Sequence, residues 1–144
     1  MKNHFVLSDQ QFEQMFEEGT LNPELFNHEA HIRLAWIHIT KYGVEEAIKN
    51  ICSQLLNFVT NHGVKDKYNE TLTIAATKAV YHFILKSKSD NFRSFITEFP
   101  RLKTHFKELM DSHYSNDTYF SEKAKKSFVE PDLLPFDKVD CYNQ

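Results

Sequence analysis

The chain has 144 residues, 41% of them hydrophobic, with 20 acidic against 17 basic residues and a formal charge of −3. That length and apolar content fit a packed domain and not a disordered chain, and the near-neutral balance lacks the basic excess of a nucleic-acid binder. Three glycines and four prolines rule out glycine-rich phosphate loops and leave little turn chemistry for a many-stranded fold, so the expectation is all-α.

Ser8 and Gln11 have capping-box spacing ahead of Phe12, Met15 and Phe16, which predicts a first helix over residues 9–18 closed by Gly19. Asn22-Pro23 marks a turn, and Asn27 is placed to cap a second helix that runs to Tyr42 and stops at Gly43. Val44, Ala47, Ile48, Ile51, Leu55, Phe58 and Val59 follow the 3.6-residue period of a third helix over 44–62, ended by Gly63. A hydrophilic bridge over 64–68 leads to Asn69, the cap of a fourth helix over 70–86 that is expected to bury Leu72, Ala76, Ala79, Val80 and Phe83. Asp90 opens a fifth helix stopped at Pro100, a sixth covers 102–113, and Ser121 caps a last short one ending near Val129.

The prolines Pro131 and Pro135 bar residues 130–136 from continuing that helix, while Leu133, Leu134 and Phe136 suggest that the tail lies along the domain. Short linkers between the second, third and fourth helices predict antiparallel neighbours. The fold expected is therefore a single-domain bundle of six to seven helices, with its core over about 8–129 and an extended C-terminal tail over 130–144. Cys52 and Cys141 lie too far apart for a disulfide framework or a zinc knuckle. No signal peptide is recognised and no window reaches the apolar length of a membrane span, so the expectation is a reduced, cytoplasmic protein with neither nucleic acid nor membrane as partner.

The feature with chemical content is His28-Glu29-Ala30-His31 at the start of the second helix. Three residues apart, the imidazoles share a face with Cβ atoms about 5–6 Å apart, near enough to hold one metal ion. His28, His31, Ala35, His38 and Tyr42 form a bundle-type seam, and Glu29 points elsewhere because it lies about 100° round the helix from His28. His38 is about 10 Å up the axis from His31, which makes it a separate core or pocket residue. On the fourth helix, Glu70, Thr73, Thr77 and Tyr81 form a second polar stripe, which either lines a pocket shared with the second helix or faces water. Arg33 reads as an anion clamp or, preferably, as an ion pair with Asp132 of the tail.

Three spaced elements carry a resemblance. Phe26, His28, His31, Arg33, Ala35 and Trp36 fit F-x-H-x-x-H-x-R-x-A-W, and Lys67, Tyr68, Thr71 and Thr73 fit K-Y-H-x-T-x-T. Ser121, Ala124, Phe128, Val129, Pro131 and Asp132 fit S-x-x-A-R-x-x-F-V-x-P-D, with Lys125 in place of the arginine. Over residues 26–132 the chain thus resembles a family of small bacterial all-helical proteins. Asn69 stands where that pattern has a histidine, so a metal set of three histidines would here lack one ligand or draw an oxygen from Glu70.

Two functional readings follow. In the first, a divalent transition metal (zinc, iron, nickel or manganese) sits on His28 and His31, with Glu70 as base, Arg33 as clamp and Tyr68, Asn69, Thr73 and His38 lining a pocket between the second and fourth helices. This reading leans to a small metal-dependent enzyme. In the second, the chain is a non-catalytic module that binds a small molecule or a partner protein through hydrogen-bonding histidines. Phe92, Phe95, Phe99 and Phe106 either pack the core, the default, or form an apolar surface. Both readings leave a homo-oligomer open.

Overall fold

The computed structural model describes residues 3–115, 118 and 121–133, and these form helices and turns without a β-strand. Among the described residues there are eight α-helices: α1 (Asp9–Glu18), α2 (His28–Tyr42), α3 (Val44–Asn61), α4 (Glu70–Lys86), α5 (Phe92–Glu98), α6 (Arg101–Thr104), α7 (Phe106–Asp111) and α8 (Glu122–Lys126). None of them is long and apolar enough to cross a membrane. The all-α expectation holds. The chain divides into two compact units, Met1–Tyr68 and Asn69–Gln144.

In the first unit α1, α2 and α3 pack on one another. Local chemistry sets their ends. The Ser8 hydroxyl accepts from Gln11 N while the Gln11 side chain accepts from Ser8 N, a complete capping box. Gly19 closes α1 in the left-handed region at φ 76°, a conformation that costs a side chain steric strain. The Asn27 side chain accepts from Ala30 N and starts α2. Between Ile32 and Ile39 every residue of α2 is buried, so α2 is the central helix of this unit and not a helix with one inward seam. Of the seam positions, Ala35 and His38 are buried, His31 is half-buried, and His28 and Tyr42 are exposed. Phe16, Phe26 and Phe58 join the three-helix core through ring centroids 4.8–5.3 Å apart.

The second unit is organised by α4, which packs against α8 and contributes Ala75 and Ala79 to a cluster with Met110 and Tyr114. The buried face of α4 matches the expected one at Ala79 and Val80 and departs from it elsewhere. Thr71, Ile74 and Ala75 are buried, whereas Leu72, Ala76 and Phe83 are only partly so. The reason is the chain after α8. Thr71 Oγ1 donates to Ser127 O at 3.0 Å and accepts from Val129 N at 3.0 Å, which covers that side of the helix. Tyr114 Oη adds a 2.6 Å bond to Val129 O.

Other boundaries shift for local reasons. The fifth helix is capped by Asn91, whose side chain accepts from Ser94 N, instead of Asp90. The expected sixth helix is broken at His105 into α6 and α7. There Thr104 Oγ1 bonds the Pro100 carbonyl and the His105 ring, and side-chain competition of this kind bends or ends helices. The last helix stops at Lys126, because Ser127 is extended (φ −150°, ψ 158°) and offers its carbonyl to Thr71. Phe92 and Phe95 are core residues.

The start of the tail is anchored, with Asp132 accepting from Ser115 N and Oγ at 3.0 and 2.8 Å and Leu133 N donating to His113 O at 2.9 Å. Leu134, Pro135, Phe136 and Cys141 lie outside the described residues.

Candidate ligand-binding cleft

A cleft of about 320 Å³ opens between α1 and α2 of the first unit, lined by Asp9, Gln10 and Glu13 from α1 and by Trp36, Ile37, Thr40 and Lys41 from α2. That volume lies at the lower end of the range for small-molecule sites, roughly 300–1,000 Å³. Helical spacing assembles it. Asp9 and Glu13 are four apart on α1, and the pairs Trp36–Ile37 and Thr40–Lys41 are four apart on α2, so each helix offers one face over a single turn. Trp36 and Ile37 are buried and provide an apolar floor. The remaining residues provide a polar rim.

The rim is pre-organised. Glu13, only 7% exposed, accepts from Lys41 Nζ at 2.8 Å and from the Tyr42 hydroxyl, so both of its oxygens are held. Burial raises the Glu13 carboxyl, but the hydrogen bonds from Lys41 and Tyr42 and the Lys41 charge together outweigh it and hold the group below its ordinary range. The same contacts raise Lys41 and Tyr42, chiefly through their hydrogen bonds to Glu13. Lys41 remains 54% exposed, with donors to spare. At the other end Asp9 Oδ1 accepts from Arg33 Nε and Nη2 at 3.1 and 2.8 Å, and among the described residues nothing donates to Asp9 Oδ2.

Arg33 sits behind this cleft and is fully committed. Besides Asp9 it donates to His4 O at 2.7 Å, His4 Nδ1 at 3.2 Å and Leu7 O at 2.9 Å, which uses all five N–H groups. The guanidinium also lies over the rings of Phe5 and Phe12. Arg33 is therefore a staple that binds the segment before α1 to α2, with Asp9 and not Asp132 as its ion-pair partner. Because Arg33 donates to His4 Nδ1, the neutral His4 ring carries its proton on Nε2 and donates it to Glu29 Oε1 at 2.9 Å. Glu29 does turn away from the histidine pair.

The histidine pair has its own character. The ring of His31 packs edge-on against Phe26 at 4.8 Å, in the aromatic cluster of the core. Burial, with a smaller contribution from the neighbouring His28, pushes its pKa down from 6.5 to about 4, so His31 is neutral at physiological pH. Among the described residues no group of three or more His, Cys, Asp or Glu side chains is placed to hold a metal ion.

His38 is buried deep in α2. Asn50 Nδ2 donates to its Nδ1 at 3.4 Å, while its Nε2 is buried without a partner among the described residues. Desolvation lowers the His38 pKa, opposed by the Glu13 charge and aided by that of Lys41.

The remaining sequence candidates fall at the boundary of the units. Tyr68 closes the first unit, and Asn69, Glu70 and Thr73 open the second. Asn69 Oδ1 accepts from Leu72 N, so this residue is the helix cap that its position before the fourth helix suggested. Thr73 and Thr77 are buried, which removes the solvent-facing reading for them, and each hydroxyl donates to the carbonyl four residues earlier, Asn69 O and Thr73 O.

Sequence reasoning missed Asp9, Gln10, Glu13, Trp36, Ile37, Thr40 and Lys41 as a group. The one available signal was Glu13, an acid set between Phe12 and Phe16 at the edge of the apolar stripe of α1. Comparison with known protein families, curated proteins and solved structures gives no match for this chain.

Proposed function

We propose that this protein is a helical module that binds a small molecule in the α1–α2 cleft without transforming it. One observation carries this reading: an apolar floor of Trp36 and Ile37 under a rim whose charged groups are already fixed by hydrogen bonds. Preformed sites of this build favour binding, because little ordering entropy remains to be lost when the ligand arrives. Trp36 is the single tryptophan of the chain, so its emission reports on the cleft. Titration with benzyl alcohol and 1-hexanol is expected to shift that emission saturably. Replacing the exposed rim residue Thr40 with phenylalanine, which fills the mouth, is expected to abolish the response while helicity is kept. A response that survives Thr40→Phe, or none in the wild type, refutes the reading.

A second reading rests on the state of His31. A neutral imidazole is the form that ligates a metal, and His28 is near enough to act on its charge. In this reading His28 and His31 chelate a divalent transition ion through two protein ligands, leaving other coordination positions open. Metal content after purification without a histidine tag, beside His28→Ala and His31→Ala, decides the matter. A stoichiometric ion lost in both variants supports the chelate. Protein that is metal-free and fails to bind zinc or nickel at micromolar concentration sinks it.

A further inference from the structure

The charges on the rim of the α1–α2 cleft are arranged with a polarity that specifies a ligand class, an inference that rests on the binding reading above. Asp9 Oδ2 is an open acceptor at one end, on a carboxylate 49% exposed whose other oxygen is locked by Arg33. The Lys41 ammonium, 54% exposed and held by Glu13 and by the neighbouring Tyr42, stands at the other end, and its three N–H groups exceed those two contacts. Between them lies the floor of Trp36 and Ile37. Arg33, the partner of Asp9, and Lys41 are eight residues apart on α2, which separates the two ends by about 12 Å at 1.5 Å per residue. On α1, Asp9 and Glu13 are about 6 Å apart by the same rise, so the reach between the two poles is about 6–12 Å.

Neither pole favours a ligand of single charge. Each ion on the rim already faces its opposite, Asp9 with Arg33 and Glu13 with Lys41, so the cleft carries little net charge. What remains is direction: an acceptor at one end, donors at the other, and apolar surface between. We propose that the cleft recognises a zwitterion with separated charges, an ω-amino carboxylate whose ammonium binds Asp9 Oδ2, whose carboxylate binds Lys41 Nζ and whose methylene chain lies on Trp36 and Ile37. An α-amino acid with an uncharged side chain does not fit this pattern, because its ammonium and carboxylate flank a single carbon and cannot reach both poles. Gln10 and Thr40 flank the chain and leave its length as the selective variable.

The test is a panel of four probes of equal chain length, 6-aminohexanoate, hexylamine, hexanoate and 1-hexanol, each titrated at low salt with Trp36 emission and backbone amide shifts as readouts. The zwitterion is expected to bind at least about tenfold more tightly than any of the other three, an advantage of one charge-assisted contact. The advantage is expected to shrink as salt screens exposed charges. Lys41→Gln is expected to reduce 6-aminohexanoate to the affinity of hexylamine, and Asp9→Asn to that of hexanoate. Lys41 is exposed and the amide of Lys41→Gln can still donate to Glu13, so that variant, checked for wild-type helicity, stays informative if Asp9→Asn weakens the Arg33 staple. Equal binding of all four probes overturns the zwitterion assignment and leaves the cleft standing as a binding site. Silence from all four at Trp36 and the cleft amides overturns both.

Discussion

Replacing Arg33 by methionine tests the staple on which the first unit depends. The change keeps much of the length and packing of the side chain and removes five hydrogen bonds, two to Asp9 and three to the segment around His4 and Leu7. His4 is 0% exposed, so its carbonyl and its Nδ1 lose the bonds from Arg33 in a place water does not reach, although the carbonyl keeps the bond from Leu7 N at 3.1 Å. Leaving a buried acceptor unsatisfied costs about 1–3 kcal/mol, and removing one member of a buried ion pair costs about 3–5 kcal/mol in all. Asp9 is half exposed and regains water, which places the expected loss near the lower figure, about 3 kcal/mol. At about 2–4 °C per kcal/mol for a chain of this size, the melting temperature should fall by roughly 6–12 °C.

Trp36 emission during urea unfolding is the assay, because the indole belongs to the unit that Arg33 holds together. Arg33→Lys is expected to fall between, since an ammonium keeps the charge and loses the planar fork. A loss below 1 kcal/mol for Arg33→Met, or Arg33→Lys equal to wild type, would refute the idea that this fork fastens the N-terminal segment.

Three further outcomes follow from the structure. His31 has a folded pKa of about 4 against 6.5 unfolded, so the unfolded state takes up the proton first and stability is lost as pH falls from about 6.5 towards 4. Partial exposure of the ring limits the effect to about 1–2 kcal/mol, and His31→Phe should flatten that part of the pH–stability curve measured by urea unfolding. Thr71→Val removes the hydroxyl that bridges Ser127 O and Val129 N, costing about 1–3 kcal/mol, and the Val129 amide should exchange with solvent faster in hydrogen-exchange measurements. Gly19→Ala forces a Cβ into φ 76° and to 3.2 Å from the Asn61 side chain, so thermal unfolding should show a loss of about 1 kcal/mol or more.

Much of the architecture was legible in the sequence because helix ends are decided locally. A capping side chain and the backbone it bonds are three residues apart, and a glycine either can or cannot take positive φ. Hence Ser8, Gly19, Asn27 and Asn69 mark boundaries that the structure keeps. The all-α class followed in the same way from 3.6-residue periodicity and sparse turn residues. What failed to show was which partners distant residues would meet. Arg33 finds Asp9, 24 residues earlier, and Thr71 finds Val129, 58 residues later. Those pairings bury Thr71 on α4 and give Arg33 Asp9 as its ion-pair partner in place of Asp132, and no local pattern encodes them. The cleft is of the same kind: Asp9 and Glu13 have no chemical meaning until α1 is laid against Trp36 and Lys41 of α2. Spacing along one helix fixes which side chains share a face, whereas a binding site needs two faces brought together, and only tertiary packing does that.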